Sequence, residues 1–361
     1  MKRILMLNYE FPPLGGGAAN ATFYLLKELS QKDVVIDLVT SSVGRYKKEK
    51  FSSNITIHYL DIGKDGNLHY QSNKDLLKYS WKAYWYCKKL MMKKKYDLCH
   101  AFFGIPCGYI AMKLGLPYIV SLRGSDVPFY NKRFYWLDTL IFKRLSCKIW
   151  EKAEHVITNS EGLKKLALQP SPQQKISVIY NGVDTDEFKP KKDYTLSGTL
   201  NILSVGRLIG RKGYADLIRA CKGLRVSITL VGDGPLKSEL FLLADKLNVS
   251  LSLLGKKDHS ELSSIYKSHD VFILPSYNEG MSNTVLEAMS SGLPLIVSDV
   301  GGTSELVSDN GFTFKPGNIL ELRKIIQKLS YKELIKMGKK SRKIAEMMSW
   351  NKVAEDYFNL Y

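Results

Sequence analysis

The alternation of short apolar runs with helix-length segments is the feature that most constrains the fold of this chain. Helix-length segments such as Ala19–Ser30 and Asn73–Lys95 separate several of the runs in the first half. This alternation is typical of a parallel sheet wrapped by helices. The strands predicted in the first half are Ile4–Asn8, Val34–Thr40, Ile55–Leu60, Leu98–Phe102, Tyr118–Leu122, Val156–Asn159 and Ile176–Ile179.

The second half of the chain repeats this pattern. A polar, turn-rich stretch, Phe188–Gly198, separates the halves and is typical of an interdomain linker. We therefore predict two doubly wound α/β domains facing one another across a cleft, with residues 1–190, a linker at 191–199, and residues 200–344. Ligands of such sheets bind beyond the carboxyl ends of the strands. The strands predicted in the second half are Asn201–Val205, Ser227–Val231, Ser250–Leu254, Val271–Leu274 and Leu295–Ser298.

The net charge of +18 is concentrated in the first half, because residues 1–198 hold 31 of the 53 basic and 18 of the 35 acidic residues. Two segments, Lys74–Lys95 and Phe129–Lys152, mix lysine and arginine with Trp and Tyr. Such mixtures suit an anionic membrane surface, at roughly 1 kcal/mol per basic residue near it. The alternative is a helix that buries its aromatic residues and solvates its lysines. No nucleic-acid-binding motif supports a nucleic-acid partner.

The cysteines and the apolar runs indicate the compartment. The five cysteines form no CxxC pair and are odd in number, which favours a reducing cytosol over a disulfide framework. No apolar run has transmembrane length, and the start, Met1–Asn8, is predicted to be a strand and not a signal peptide. We expect a cytoplasmic protein, with the basic segments placing it on the inner face of the cell membrane.

Glu279 and Glu287 flank the most informative segment of the second half. Glu279 follows a predicted strand, and Glu287 lies about one turn into a predicted helix that begins near Asn283. Between them, the amides of Gly280, Met281 and Ser282 precede a helix N-terminus, where unpaired N–H groups and the helix dipole favour anions. Two carboxylates beside an anion site suggest a ligand with hydroxyls and phosphates, such as a nucleotide sugar.

Glycine-rich turns follow the first strand of each half. Gly15–Gly17 precedes a helix, and its glycines permit close approach to a phosphate or sugar. In Gly206–Gly213, Arg207 and Lys212 are predicted to neutralise a diphosphate, the alternative being a solvated basic turn. Gly232 lies in a tight turn that ends another strand.

Polar residues also end two strands of the first half. His100 closes one strand, where a contact with a ligand competes with a structural role. Arg123 ends the next, where it is predicted either to bind an anionic acceptor or to pair with Asp126. Asp184–Asp186 has the spacing of a metal-binding DxD but is predicted to be a turn. The chain has no HExxH, CxxC or GxSxG pattern, so metalloprotease, zinc-finger and serine-hydrolase readings lack support.

In their joint order, these pieces resemble glycosyltransferase family 4, whose GT-B fold has two Rossmann-like domains. The likeness covers nearly the whole chain and includes the closing segment Ser349–Ala354, which resembles the family's last helix and implies that helix 345–361 joins the first domain. The motifs that carry it are Gly15-Gly16-Gly17, Val178-Ile179-Tyr180-Asn181-Gly182-Val183-Asp184, Val205-Gly206-Arg207 with Lys212-Gly213, Val231-Gly232-Asp233-Gly234-Pro235, and Glu279-Gly280 with Glu287-Ala288.

The resemblance implies a metal-independent, retaining transfer of a hexosyl unit from a nucleotide-diphosphate sugar, with no cofactor beyond that co-substrate. UDP is the first expectation for the nucleotide and GDP the second. Arg207 and Lys212 would hold the diphosphate, Glu279 the sugar hydroxyls and Glu287 the ribose hydroxyls. The amides of Gly280–Ser282 would assist. The remaining residues carried over as donor contacts are Gly16, Gly17, Gly232 and Asn283.

One departure from the family concerns the strand that ends near His100. Many members carry His-x-His there, but this chain has His100-Ala101-Phe102, and Arg123 replaces another frequent histidine. His100 is kept as a catalytic candidate, and Arg123 and Asp126 as acceptor-binding candidates. The basic first domain suits a glycan or lipid-linked acceptor in lipopolysaccharide, capsule or O-antigen biosynthesis.

Three other classes of protein are alternatives to the transferase. A nucleotide-sugar epimerase of the same fold would need acid and base residues and no acceptor. A glycosidase would use two carboxylates as acid and base or nucleophile, leaving the phosphate-type features without a purpose. A non-enzymatic protein that binds anionic polymers would show steep salt dependence without affinity for sugar nucleotides. The oligomeric state is not predicted.

Overall fold

A computed structural model describes residues 1–64, 68, 71–130, 142–191 and 198–361, and these residues form two units. One unit comprises Met1–Asn181 with Trp350–Tyr361, and the other comprises Gly182–Ser349. The division falls before Gly182, earlier than the predicted boundary after residue 190. The reason is Phe188, which is buried and whose carbonyl accepts a hydrogen bond from Ser290 Oγ at 2.7 Å. The start of the polar stretch Phe188–Gly198 thus packs into the second unit, and residues 192–197 lie outside the described part.

The first unit contains an eight-stranded sheet in the order β3-β4-β2-β1-β5-β6-β7-β8. All neighbouring strands are parallel except β3, which pairs antiparallel with β4. The order reverses between β1 and β5, so their carboxyl ends form the topological switch point of this sheet. The strands are β1 (Lys2–Leu7), β2 (Val34–Ser41), β3 (Lys47–Lys50), β4 (Ile55–Leu60), β5 (Leu98–Phe102), β6 (Tyr118–Leu122), β7 (His155–Thr158) and β8 (Ile176–Val178).

Helices of the first unit cover this sheet because their apolar residues recur on one side. The second of them begins with a capping box, in which Ser72 and Asp75 satisfy each other's backbone amides. Tyr79, Ala83, Cys87 and Leu90 of that helix are buried at helical spacing. The described helices before residue 181 are α1 (Gly17–Leu29), α2 (Asn73–Met91), α3 (Tyr109–Leu114), α4 (Lys143–Glu151) and α5 (Glu161–Leu168).

The second unit contains a six-stranded parallel sheet in the order β11-β10-β9-β12-β13-β14. Its order reverses between β9 and β12, which places the switch point at their carboxyl ends. The strands are β9 (Leu200–Val205), β10 (Val226–Val231), β11 (Ser250–Leu253), β12 (Val271–Leu274), β13 (Leu295–Ser298) and β14 (Gly311–Phe314). The helices are α6 (Tyr214–Ala220), α7 (Lys237–Lys246), α8 (His259–Lys267), α9 (Asn283–Ser290), α10 (Ile319–Lys328) and α11 (Tyr331–Glu346).

The final helix, α12 (Trp350–Leu360), belongs to the first unit. Its Trp350 ring stacks on Tyr24 with centroids 5.6 Å apart, and Val353, Ala354 and Tyr357 are buried. The chain therefore returns to its first unit at the end. In the described part of the chain, no helix has both the length and the apolarity that crossing a membrane would require.

The two parallel-sheet α/β units confirm the predicted fold class. The predicted strands all form, with ends shifted by at most about two residues, as expected for such boundaries. Two observed strands were not predicted. β3 consists of four exposed charged residues and lacks any apolar alternation, and β14 is a short Gly-Phe-Thr-Phe segment. Both strands lie at a sheet edge. Their extended conformation is decided by hydrogen bonding to one neighbouring strand and not by burial.

Candidate active site

The switch point of the second sheet brings together the two segments that the sequence predicts to bind the donor. β9 is followed by Gly206–Gly213, and its neighbour β12 is followed by Pro275–Ser282. Parallel strands end at the same edge, so these segments meet there. The backbone confirms this, because the Tyr277 amide donates to the Arg211 carbonyl at 2.8 Å.

Lys212 and Glu279 form the central contact of this site. Lys212 Nζ lies 2.5 Å from Glu279 Oε1, and the two side chains are only 11% and 10% exposed. Ser276 Oγ donates to the same oxygen at 2.7 Å. The sequence nominated Lys212 and Glu279 separately, for diphosphate and for sugar, but did not predict that they pair. A largely buried pair of this kind leaves an uncompensated charge if either partner is removed.

Two glycines allow the loops to approach this closely. Gly213 has φ +67°, and a Cβ there would lie 2.0 Å from the Pro275 carbonyl oxygen. Gly301 has φ +53°, and a Cβ there would lie 1.8 Å from the Glu279 carbonyl oxygen. Any side chain at either position would push apart the loops that hold Lys212 and Glu279. Gly232 acts similarly, since a Cβ there would lie 2.1 Å from the Gly206 carbonyl oxygen.

The helix N-terminus lies where the sequence predicted it, because α9 begins at Asn283 and Ser282 is its N-cap. The Ser282 side chain does not cap the helix and instead lies 3.1 Å from Thr284 Oγ1. Met281 and Ser282 are largely buried, and Thr303 Oγ1 donates to the Gly280 carbonyl at 3.0 Å. The Gly280–Ser282 segment is thus held in place ahead of the helix.

Glu287 lies one turn into α9 and contacts the neighbouring helix α8. Its Oε2 accepts a hydrogen bond from the Tyr266 hydroxyl at 2.9 Å, and its Oε1 lies 3.6 Å from His259 Nε2. The side chain is 12% exposed. Arg207, by contrast, is exposed, and no carboxylate lies within ion-pair distance of it among the residues described. It remains available to an anion.

Gly16 is the N-cap of α1 at the switch point of the first sheet, and Gly17 is the first residue of that helix. A Cβ at Gly16 would meet nothing within 4 Å, so its surface side is open. Gly15 has φ +95° and packs closely on Glu10. The open space beside Gly16 is compatible with the predicted ligand contact.

His100 lies in the core of the first unit. Its side chain is fully buried, its Nδ1 lies 2.7 Å from the Tyr361 hydroxyl, and its Nε2 lies 2.8 Å from Ser121 Oγ. Burial, followed by the nearby Arg123 charge, holds the pKa of His100 well below its usual range. Both ring nitrogens are engaged in linking β5 to β6 and to the C-terminus. This environment is that of a structural histidine, and the predicted catalytic role of His100 does not enter our proposal.

Arg123 and Asp126 are likewise used within the first unit. Asp126 accepts the backbone amides of Gly104, Arg123 and Gly124 at 2.7–2.9 Å. The Arg123 guanidinium lies 4.6 Å from the centroid of the Phe102 ring and donates to Asn181 at 2.9 Å. The two side chains therefore hold loops in place and do not form the ion pair that was one of the two predicted alternatives.

The basic and aromatic segment Lys74–Lys95 forms α2 and its continuation. Tyr79 is buried, as in the solvated-helix alternative, but Leu77, Trp81 and Trp85 are 72%, 66% and 59% exposed. Their spacing of four residues places these three side chains on one helix face. Trp81 and Trp85 also line an open groove of about 610 Å³ together with Arg45, Lys82 and Lys89. In the second segment, Phe129–Lys152, residues 131–141 lie outside the described part of the chain.

Several residues of the site carry no signal in the sequence. Tyr266 and His259 acquire their contacts with Glu287 through packing of different helices. Ser276 donates to Glu279 three residues further along the same loop. The hydroxyl of Tyr214 is buried beside Gly206 and finds no hydrogen-bond partner among the residues described. A lone tyrosine or histidine on a helix is ordinarily a core or surface residue, so only the assembled fold identifies these side chains.

Comparison with known proteins gives two adjoining matches and several full-length relatives. Residues 15–187 match Glycosyltransferase Family 4, and residues 186–347 match Glycosyl transferases group 1. An uncharacterized glycosyltransferase of Methanocaldococcus jannaschii is 28% identical over 359 residues, covering 97% of this chain and 95% of its own. The Escherichia coli UDP-Gal:alpha-D-GlcNAc-diphosphoundecaprenol alpha-1,3-galactosyltransferase is 33% identical over 263 residues, covering 64% of this chain and 65% of its own.

The structural comparison agrees with these matches. Sucrose-phosphate synthase of Thermosynechococcus elongatus superposes with a TM-score of 0.85 at 22% identity, covering 100% of this chain and 98% of that one. At this identity the likeness concerns the fold alone. The two family matches together span residues 15–347, and both units have the parallel-sheet architecture described above. The chain accordingly belongs to the glycosyltransferases of the GT-B fold.

Proposed function

We propose that this glycosyltransferase transfers a hexosyl unit from a nucleotide-diphosphate sugar to a hydroxyl of a glycan or lipid-linked acceptor, with retention of configuration and without a metal ion. The observation that carries the proposal is the Lys212–Glu279 pair at the switch point of the second sheet, ahead of the α9 N-terminus. A cation and a helix end suit a diphosphate, and a carboxylate suits sugar hydroxyls.

Each residue of the site has a defined task in this proposal. Arg207 and Lys212 bind the diphosphate, where negative charge grows as the glycosidic bond breaks. The acceptor oxygen bonds to the anomeric carbon as the bond to the phosphate oxygen breaks, and the electron pair stays on that oxygen. The acceptor proton passes to the departing phosphate on the same face. Glu279 orients the sugar and Glu287 the ribose, so neither transfers a proton.

UDP is our first choice for the nucleotide, and GDP is the second. The name of the Escherichia coli relative specifies a UDP-linked sugar and a diphosphoundecaprenol-linked acceptor, which supports a UDP donor and a lipid-linked acceptor here. Another relative, from Bacillus subtilis, is named for teichuronic acid biosynthesis, at 30% identity over 66% of this chain and 63% of its own. We accordingly place the enzyme in the synthesis of a surface glycan such as lipopolysaccharide, capsule or O-antigen.

Thermal-shift measurements test the donor assignment. A ligand at about 100 times its Kd stabilises the folded state by about 2.7 kcal/mol and thereby raises the melting temperature. UDP is expected to raise it more than GDP or ADP, because UDP is the proposed donor nucleotide. UDP-glucose or UDP-galactose is expected to give a larger shift than UDP in the wild type. The Glu279→Gln variant is expected to lose that extra shift while retaining the UDP shift, since Glu279 serves the sugar.

The matched control for this experiment is Glu239→Gln, which changes an exposed glutamate of the same unit. It is expected to behave as the wild type. A chain that no UDP, GDP or ADP compound stabilises would contradict the proposal. An NMR spectrum of the product then reports the anomeric configuration, and inversion would exclude the retaining mechanism.

The exposed face of α2 supports association with an anionic membrane. Leu77, Trp81 and Trp85 present apolar surface to solvent, and lysines of the same helix flank it. Trp and Lys together suit the boundary between lipid headgroups and acyl chains. We therefore place the enzyme at the inner face of the cell membrane, where a lipid-linked acceptor would lie.

Liposome flotation tests this association. The protein is expected to float with vesicles of phosphatidylglycerol and phosphatidylcholine at low salt, and less so as salt screens the charges. The double variant Trp81→Ser/Trp85→Ser is expected to reduce flotation several-fold. Phe241→Ser, which removes a 56% exposed aromatic residue from the other unit, serves as the control. Absence of flotation with the wild type at low salt would refute the association.

A further inference from the structure

His259 lies between two glutamates in the second unit. Its Nδ1 is 2.9 Å from Glu187 Oε1, and its Nε2 is 3.6 Å from Glu287 Oε1. Phe188 packs edge-on against the imidazole, with ring centroids 5.0 Å apart. His259, Glu187 and Glu287 therefore form a row that ends at the residue proposed to bind ribose.

The charges in this row favour a protonated imidazole. Burial, the largest single influence, lowers the pKa of His259, but the carboxylates of Glu287 and Glu187 beside its ring nitrogens together raise it to about 9. Among the described residues, the charged groups within 4 Å of the imidazole nitrogens are these two glutamates, one from the segment before Phe188 and one from α9. The raised pKa favours the imidazolium, and each ring nitrogen faces a carboxylate oxygen.

Glu187 is held rigidly on its own side of the row. Its backbone amide donates to Asp184 Oδ1 at 3.0 Å, and its carbonyl accepts from Ser263 Oγ at 2.6 Å. The next residue, Phe188, is anchored in the core of the unit by Ser290 and Arg342. The predicted turn Asp184–Asp186 therefore helps to hold the backbone of the residue whose carboxylate faces His259.

The second carboxylate oxygen of Glu287, Oε2, also has a partner. The Tyr266 hydroxyl, which belongs to the same helix as His259, donates to Glu287 Oε2 at 2.9 Å. Each carboxylate oxygen accepts about two hydrogen bonds, so each retains capacity for a hydroxyl of a bound ligand. The carboxylate is thereby oriented before any ligand arrives, which reduces the entropy lost on binding.

We infer that His259, backed by Glu187, is a positioning residue that holds Glu287 in the orientation that binds the ribose of the donor nucleotide. This inference rests on the function proposed above for Glu287. It assigns to the pair formed by His259 and Glu187 a role in donor affinity, and it makes that affinity dependent on pH. Ribose contacts are equal in the ground state and in the transition state, so they affect donor KM more than kcat.

The test is titration calorimetry with UDP, GDP and ADP in parallel, together with donor KM and kcat. His259→Gln is expected to weaken binding of the preferred nucleotide about 10-fold, the effect of losing roughly 1.4 kcal/mol of binding free energy. The kcat at saturating donor is expected to change less than two- to three-fold. His155→Gln, at an exposed histidine of the other unit, is expected to leave both constants unchanged.

The pH profile separates positioning from a merely structural role. Wild-type affinity is expected to hold at neutral pH and to fall as the pH rises through about 9, where the imidazolium of His259 loses its proton. Glu187→Gln is expected to move this fall to lower pH, because one of the two carboxylates that raise the pKa of His259 becomes neutral. His259→Gln is expected to abolish the fall. Circular dichroism at each pH verifies that the variants remain folded.

Each outcome bears on one of the two claims. If the Glu287→Gln variant binds the nucleotide as tightly as the wild type, the ribose assignment is overturned, and the inference with it. A second outcome is that Glu287→Gln binds the nucleotide more weakly, while His259→Gln keeps the affinity and the pH profile of the wild type. That outcome would overturn the inference and leave the ribose assignment standing. Weakening in both, with the fall displaced in Glu187→Gln, supports the inference.

Discussion

Replacing Lys212 with alanine is expected to lower kcat about 10²- to 10³-fold, the range found when one preorganised group that stabilises developing charge is removed. Lys212 Nζ is held 2.5 Å from Glu279 at the switch point of the sheet, so its charge is in place before the donor binds. The diphosphate gains negative charge as the glycosidic bond breaks. The loss should therefore be greater in kcat than in donor KM.

Two further variants separate charge from geometry at this position. Lys212→Arg keeps the cation but places a planar, branched group in a largely buried site, and is expected to recover only part of the activity. Lys237→Ala removes an exposed lysine of the same unit and is expected to be neutral. Initial rates with donor at saturation provide the measurement, and turnover within two-fold of wild type in Lys212→Ala would refute the role of Lys212.

Lys212→Ala also removes the cation that faces Glu279. A carboxylate that is 10% exposed would then lack its partner, which destabilises a folded protein by several kcal/mol when no other group compensates. Urea unfolding of the variant measures this cost directly. If activity falls while the unfolding midpoint is little changed, the loss belongs to catalysis and not to folding.

Gly213→Ala is expected to destabilise the second unit and to depress turnover with it. Its φ of +67° alone costs an L-residue about 1–2 kcal/mol. The added Cβ would further lie 2.0 Å from the Pro275 carbonyl oxygen, so the backbone of the two loops must separate. Lys212 precedes Gly213 and Glu279 follows Pro275 in the chain, so their ion pair would be displaced.

Gly223→Ala is the matched control for this variant. Gly223 has φ +70° and lies in the same unit, but a Cβ there would meet nothing within 4 Å. This variant is expected to lose only the free energy of unfolding that its positive φ costs, and its turnover is expected to be unaltered. Equal shifts of the unfolding midpoint in the two variants would show that the contact with Pro275 carries no energy, contrary to our account.

The sequence predicted the elements of the site better than their contacts. Glu279 and Lys212 stand out because one follows a buried strand ahead of a helix, and the other lies in a glycine-rich turn after a strand. Both features are local, and both reflect the backbone geometry that such positions require. The distance between the two side chains depends on the pairing of β9 with β12, which are separated by the whole β10–β11 segment.

His100 shows that position along a strand does not by itself decide what a side chain contacts. It occupies a strand end, the position from which ligand contacts usually come, but its ring is enclosed by Ser121, Phe102 and Tyr361. Tyr361 lies 261 residues from His100 along the chain. No local pattern could indicate that so distant a tyrosine would form a hydrogen bond with His100.

By itself, the sequence determined two parallel α/β domains, the strands that terminate at each switch point, and the helix end between Glu279 and Glu287. These follow from periodicity, from glycine positions and from capping, which are properties of neighbouring residues. Only the tertiary structure decided that Lys212 pairs with Glu279, that His100 is part of the core, and that His259 stands between Glu187 and Glu287. The reason is physical: a side chain's burial and partners are set by elements distant along the chain.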